Sequence, residues 1–384
     1  MDNELSSAEL QALVQRVFKP SAADKALAII IDLPDAAVPD NDAWAARRQM
    51  AHTWANGLNE GRDELGLAIH LYLYRNPRHN NADLPEGAWA HRFGDLPATA
   101  DELDCELLES FDSIFSTHSI LLAPTQFSAT APLKIAAKKH QFRAATMPGF
   151  SDVMIPALKL DYGIINARCQ QMKQLVDRAE EAAFHFRVDQ TDYDLTLDLR
   201  NRQGTASGGL FPDPGVAGNL PSGETYIVPY EGEVAEQKSR SNGVLPVQFG
   251  EEIVVYEIAE NRACKVISEG PRSTQEQQHL DRDPAYGNMA ELGLGVLSDF
   301  GLEPTGVILL DEKLGLHIAF GRSDHFGGQV GPGDFASPDS VVHIDRVYIP
   351  KTQPAVHVVS VDLIMKDGPM PLIRDNDYVI TWEI

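Results

Sequence analysis

The strongest constraint in this chain is a short apolar run, Val341-Val342-His343-Ile344-Asp345, that carries an imidazole and a carboxylate two positions apart. Side chains two apart on a strand point to the same face. On a strand, His343 and Asp345 therefore leave one face together, as a metal ion requires. A strand interior seldom hosts both without a charge partner. A second apolar run, Leu316-His317-Ile318-Ala319-Phe320, places His317 where a neighbouring strand supplies a third ligand. Read alone, a histidine on a strand such as His317 is more commonly a core histidine with a satisfied hydrogen bond. The segment between the two runs is rich in glycine, with Gly327, Gly328, Gly331 and Gly333. A flexible loop is its plain reading and a lid over the metals its sharper one. Asp324 and His325 stand at the loop entrance, where they would face substrate.

Two glutamates further upstream extend the set. Glu224 lies in Gly218-Asn219-Leu220-Pro221-Ser222-Gly223-Glu224-Thr225, and Glu291 in Ala290-Glu291-Leu292-Gly293-Leu294-Gly295. Each abuts glycine-rich and apolar backbone that would shield it, and a shielded carboxylate needs a metal, a base or a proton. The plain readings are a surface turn for Glu224 and a helix-start dipole partner for Glu291. Glu312 and Lys313 read first as a salt bridge in a turn. Glu224, Glu291, His317, His343 and Asp345 together offer oxygen and nitrogen donors enough for two adjacent divalent ions and a water of lowered pKa.

The rest of the chain reads as two parts. Residues 5–18 have helical spacing, with Ser6 or Ser7 as cap. Residues 26–31 form a continuous apolar run, the mark of a buried parallel strand. Further strands are expected at 65–74 and 119–124, and helices at 41–58, 102–115, 125–139 and 158–183. Alternating strands and helices predict an open α/β sheet over 1–181. Beyond it, short β-branched runs near 184–188, 194–200, 225–228, 244–249, 253–258, 264–268, 306–310, 316–320, 341–348, 356–365 and 378–383 predict a mostly antiparallel, β-rich metal-binding catalytic domain over 182–384. One helix is expected there, at 288–293. The fold class is thus an α/β domain followed by a β-rich one.

Composition narrows the partners. Thirty-two basic against 56 acidic residues give a net charge of −24, which repels nucleic acid and anionic membranes. No apolar run approaches the ~20 residues of a membrane span. The three cysteines, Cys105, Cys169 and Cys264, are odd in number and far apart, which argues against a disulfide scaffold or a zinc ribbon. The opening MDNELSSAEL has no basic and apolar secretory pattern. A reducing cytoplasm is the expected setting. Neither a phosphate loop nor a G-x-S-x-G elbow is present.

Four phrases in order, NLPSGETYIVPYEG, ELGLG, ILLDEKLGLHIAFG and VVHID, resemble the thermophilic metallo-aminopeptidase (aminopeptidase T-like) family. The resemblance implies two domains arranged as a clam-shell, a homodimer, and a pair of ions (zinc, manganese or cobalt) held by Glu224, Glu291, His317, His343 and Asp345. One departure stands out. The family's catalytic tyrosine, seven residues after the first histidine, is here Asp324, which has no phenolic hydrogen to offer an oxyanion. Arg322, His325 and Tyr348 remain as replacements. The same superfamily looks to include the 2,5-dihydroxypyridine dioxygenases, which use one Fe(II) on two histidines and an aspartate. His317, His343 and Asp345 are the residue types of such a triad. Thr146-Met147-Pro148-Gly149 and Asn219-Leu220-Pro221 also resemble that branch. The expected activity is metal-dependent hydrolysis of an amide- or peptide-type bond in a small molecule or peptide, with Glu224 or Glu291 as general base. The alternative is Fe(II)-dependent ring cleavage of a hydroxylated N-heteroaromatic such as a dihydroxypyridine. A binding protein with a structural metal is a third class, disfavoured because structural sites tend to be closed.

Overall fold

A computed structural model describes residues 3–92 and 94–383. The chain divides into two compact units. The first holds the chain up to Gly163 with Gly209–Ser222 and Thr305–Leu310. The second holds Ile164–Gly208, Gly223–Pro304 and the chain from Asp311 onward. Where the sequence suggested one cut near residue 181, the chain passes between units several times.

The first unit is built on one seven-stranded sheet. Ala217–Asn219, Arg143–Thr146, Ile120–Ala123, Ala26–Leu33 and Ala68–Arg75 run parallel in that order. Gly87–His91 and Glu109–Ser110 continue it antiparallel. Ala26–Leu33 is buried along its whole length, as its unbroken apolar run predicts. The helix Ser7–Phe18 starts at Ser6, whose side chain and that of Glu9 form a reciprocal cap. The helix expected over 102–115 is instead two short turns, the strand Glu109–Ser110 and the helix Phe111–Thr117. Among the described residues no helix is long and apolar enough to cross a membrane.

The second unit is β-rich and antiparallel. An eight-stranded sheet and a five-stranded sheet share one hydrophobic core. The five-stranded sheet runs His343–Val347, Leu316–Gly321, Met289–Gly295, Glu224–Ile227 and Thr205–Ser207. Leu292, Leu294, Leu316, Ile318 and Phe320 face the core, where they join Phe186, Val247, Tyr256 and Val361 from the larger sheet. Full burial of each such side chain contributes roughly 1.5–3 kcal/mol. The residues that alternate with them, Glu291, Gly293, Gly295, His317 and Ala319, occupy the opposite face.

Two expected elements take another form in this unit, and one element was not expected. Residues 288–293 are strand, not helix: Met289–Gly295 is central in its sheet and wholly buried. A run of leucine and glycine carries little periodicity, so burial on both faces decided the element. The strand expected at 306–310 is a helical turn, Ile308–Asp311. The helix Pro271–Arg282 was unforeseen, being mostly polar with few buried positions.

A β-bulge aims the key carboxylate. Met289 pairs with Phe320, yet Glu291 pairs with Ala319, so the register shifts at Ala290. Met289 thereby keeps to the core while Glu291 turns to the other face. Gly295 is needed for a different reason. A Cβ there would lie 2.3 Å from the Lys313 carbonyl carbon and 2.4 Å from the Glu312 oxygen, both rigid backbone. Gly295→Ala is expected to destabilise the protein by about 1–3 kcal/mol, as overpacking does, measured as a lowered midpoint of urea denaturation. An unchanged midpoint would contradict this close approach.

Candidate metal centre

Strand register explains how distant residues meet. Glu224 and Tyr226 leave one face of their strand, opposite Gly295 and Gly293. Gly293 pairs with His317, Glu291 with Ala319, Ala319 with Asp345, and Gly321 with His343. All five ligands expected from the sequence therefore share one face of one sheet. The residues between them are small. A Cβ on Gly293 would sit 1.8 Å from His317 Nε2, so the imidazole lies across bare backbone. That is a physical reason for the glycines of ELGLG.

The side chains gather into two groups able to hold an ion: Glu224 with Glu312 and His317, and Glu291 with His343 and Asp345. His317 links them, its Nε2 being 3.5 Å from Glu224 Oε2 and 3.4 Å from Glu291 Oε1. His343 Nε2 lies 3.1 Å from Glu291 Oε2 and 3.5 Å from Asp345 Oδ1. His343 donates from Nδ1 to the Arg322 carbonyl at 2.7 Å. A carbonyl can only accept, so Nε2 is the nitrogen left to face the carboxylates.

Glu312 and Lys313 are the residues the sequence reading undervalued. They are not an exposed turn pair. Lys313 is fully buried, its ammonium 2.6 Å from Glu224 Oε1 and also bonded to Glu312. The available signal was Glu312's closeness to His317 in sequence; nothing local reported the burial. Glu224 Oε2 and His317 Nε2 are buried without a hydrogen-bond partner. These two ligand atoms, 3.5 Å apart, fit a cation bound by both. Carboxylate and imidazole donors of this kind suit zinc, manganese, cobalt or iron.

The electrostatics agree. Burial pushes the Glu312 carboxyl up to about 8, offset by Lys313 and reinforced by Glu224 and Asp345. Burial would also raise Glu291, but the neighbouring His317 and His343 hold it well below the usual carboxylate range. Burial would lower His317, yet Glu291 and Glu224 push it up to about 9. His343 is likewise raised, with Asp345 and Glu291 overcoming burial. Protons here occupy positions that a metal ion would take.

The glycine-rich segment is tied down. Glu231 accepts hydrogen bonds from Ser323 Oγ at 2.6 Å, Gln329 N at 2.6 Å and Asn288 Nδ2 at 2.8 Å, and pairs with Arg202 at 3.1 Å. This clasp presents His325 and Phe326 to His343, each ring centroid 5.2 Å from it, with Tyr226 packed on Phe326 at 4.7 Å. Burial and the nearby His343 lower His325 to about 4, so it is neutral at neutral pH. Asp324 is held by Arg322, with Nε at 2.5 Å, and belongs to neither ion-holding group. Tyr348 is no replacement for the missing phenol: it is buried in the core and donates to the Pro246 carbonyl at 3.0 Å. Tyr226, unforeseen, is the phenol on the site's face. Burial and the carboxylates of Glu291 and Glu224 keep it protonated. The remaining histidines stand apart from this centre, although His70 and His118 pair at 2.7 Å in the first unit.

No protein-family profile matches the chain, and no curated protein matches it by sequence. Solved structures do match. The chain is similar to 2,5-dihydroxypyridine dioxygenase from Pseudomonas putida KT2440, at 14% identity and a TM-score of 0.61, over 98% of this chain and 99% of that one. It is also similar to wild-type AmpT from Thermus thermophilus, at 16% identity and a TM-score of 0.55, over 97% and 98%. The chain thus shares its fold with both structures over nearly its whole length.

The shifted groups set a pH window for the metal-free protein. His317 is raised in the folded state, so its contribution is complete below about 6.5 and is lost as pH rises through about 9. Glu291 is depressed, so its contribution is complete above about 4.5 and is lost as pH falls. Chelator-treated protein should therefore lose thermal stability between pH 6.5 and 9. His317→Gln should flatten that alkaline limb. A wild-type midpoint that stays level over this range would contradict the assignment.

Proposed function

We propose that the chain is a metal-dependent hydrolase acting on an amide- or peptide-type bond of a small molecule or peptide. The observation that carries this reading is the pair of ion-holding groups linked by His317, with Glu224 Oε2 and His317 Nε2 left orphaned between them. When fully ionised, Glu224, Glu291, Glu312 and Asp345 are offset by one ammonium, Lys313, leaving a formal charge of −3. One divalent ion would leave −1 and two would leave +1, so the charge admits a pair of ions without requiring it. Bound there, such ions would polarise a substrate carbonyl and make a water more acidic.

The chain's own residues then divide the work. Glu224, Glu291, His317, His343 and Asp345 hold the ions. Glu312, bonded to Lys313 beside the inner group, would in its ionised form accept the proton of the attacking water and return it to the leaving amine. This task was expected of Glu224 or Glu291, but both lie closer to the linking imidazole. Tyr226, His325 and Phe326 form an aromatic wall on one side that excludes water and suits an apolar or planar substrate group.

A second reading has its own support. Asp324, engaged by Arg322, offers no phenol where the aminopeptidase-like family has one. His317, His343 and Asp345 are the ligand types for one Fe(II), and a dioxygenase shares the fold. On this reading the substrate is a hydroxylated N-heteroaromatic.

Elemental analysis of protein purified without oxygen separates the two. Two zinc, manganese or cobalt ions per chain, with turnover of aminoacyl amides, is the expected result. One iron per chain, with oxygen uptake on dihydroxypyridines, would replace it by the second reading. His343→Ala should abolish both metal content and activity while the first unit stays folded by circular dichroism. Full activity without bound metal would sink both readings.

A further inference from the structure

The two halves of the centre are not equivalent. The outer half, Glu291, His343 and Asp345, is partly exposed and contains no cationic side chain besides its imidazole. The inner half, Glu224, Glu312 and His317, is shared with the Lys313 ammonium. That ammonium bonds both Glu224 Oε1 and Glu312 Oε1. Glu224 Oε2 and His317 Nε2 are buried there without a hydrogen-bond partner. Lys313 cannot easily withdraw. It is fully buried, and its backbone is pressed against Gly295, where a Cβ would approach to 2.3 Å.

We propose that Lys313 is a resident counter-cation of the inner half, so that the centre loads with metal in a fixed order. The inference rests on the metalloenzyme reading above. The outer half fills first, because its donors face no competing ammonium. An ion enters the inner half only by taking carboxylate oxygens from Lys313 and tolerating a positive charge within a few ångströms. Repulsion between like charges at such distances in a buried setting weakens the second ion on the order of a hundredfold. Lys313 is a positioning residue here: it acts through Glu224 and Glu312 and sets the number of ions held at a given metal concentration. A site that keeps one tight ion and one exchangeable ion has its activity governed by metal supply.

The test uses the full chain, stripped with chelator, and Mn2+ as probe. Calorimetric titration of the wild type should resolve a tight step and a step about a hundredfold weaker. The electron paramagnetic resonance spectrum at one equivalent should be that of an isolated ion, with spin coupling only after the second. Lys313→Met, of similar length and no charge, should tighten the second step at least about tenfold and leave the first unchanged. Asp345→Ala should abolish the tight step and spare the weak one, and it serves as the deciding variant if Lys313→Met fails to fold. Two equal steps, or spin coupling from the first addition, would overturn the ordered loading while leaving the metalloenzyme reading intact. The same holds if Lys313→Met weakens the second step or leaves it unmoved. No binding of Mn2+, Zn2+, Co2+ or Fe2+ at all would overturn both.

Discussion

Everything in the second unit answers to one constraint: carboxylates and imidazoles are packed on a sheet face with little water to solvate them. Charges in such a place need partners within a few ångströms or they do not stay ionised. The strand register brings opposite signs together. His317 lies between Glu224 and Glu291, and His343 between Glu291 and Asp345. Space is made by deletion of side chains. Gly293 leaves room for the His317 ring, and Gly295 lets the Glu312–Lys313 backbone pass. The opposite face of the same strands is leucine, isoleucine and phenylalanine, so the sheet is anchored by its core while its other side carries the chemistry.

The period-2 rule made part of this legible. His343 and Asp345 emerge on one face because they are two apart on a strand, and His317 joins them from the next strand. Glu291 was harder. The bulge at Ala290 is a tertiary feature, and a leucine–glycine alternation does not distinguish a central strand from a helix start. Glu312 and Lys313 were harder still. An acid beside a base in sequence is usually a solvated pair, and nothing local signals the tertiary approach of Gly295 to their backbone. Tyr348 shows the converse. Its position soon after Asp345 made it a plausible donor, yet its place in the alternation turns it into the core.

The first unit was legible for a different reason. A strand buried on both faces, such as Ala26–Leu33, needs no periodicity to be seen, because apolar continuity is enough. Short strands such as Gly87–His91 escaped notice, since pairing with neighbours defines them more than their own residues do. Asp32, at the end of the buried run, is spent on structure. It accepts the backbone N–H groups of Gln126 and Phe127 at 2.7 and 2.9 Å, fixing the loop after the next strand.

The departure at Asp324 is best understood through what surrounds it. A carboxylate there does not enter the centre, because Arg322 holds it from two residues away. The charge is thus neutralised locally and adds little to the negative charge of Glu224 and Asp345, which together with burial raises the Glu312 carboxyl. The adjoining His325 is kept neutral by burial, so the loop meets His343 with aromatic surface and no net charge. The Arg322–Asp324 pair keeps that carboxylate's charge from the centre, and the Glu231 clasp holds the loop in register.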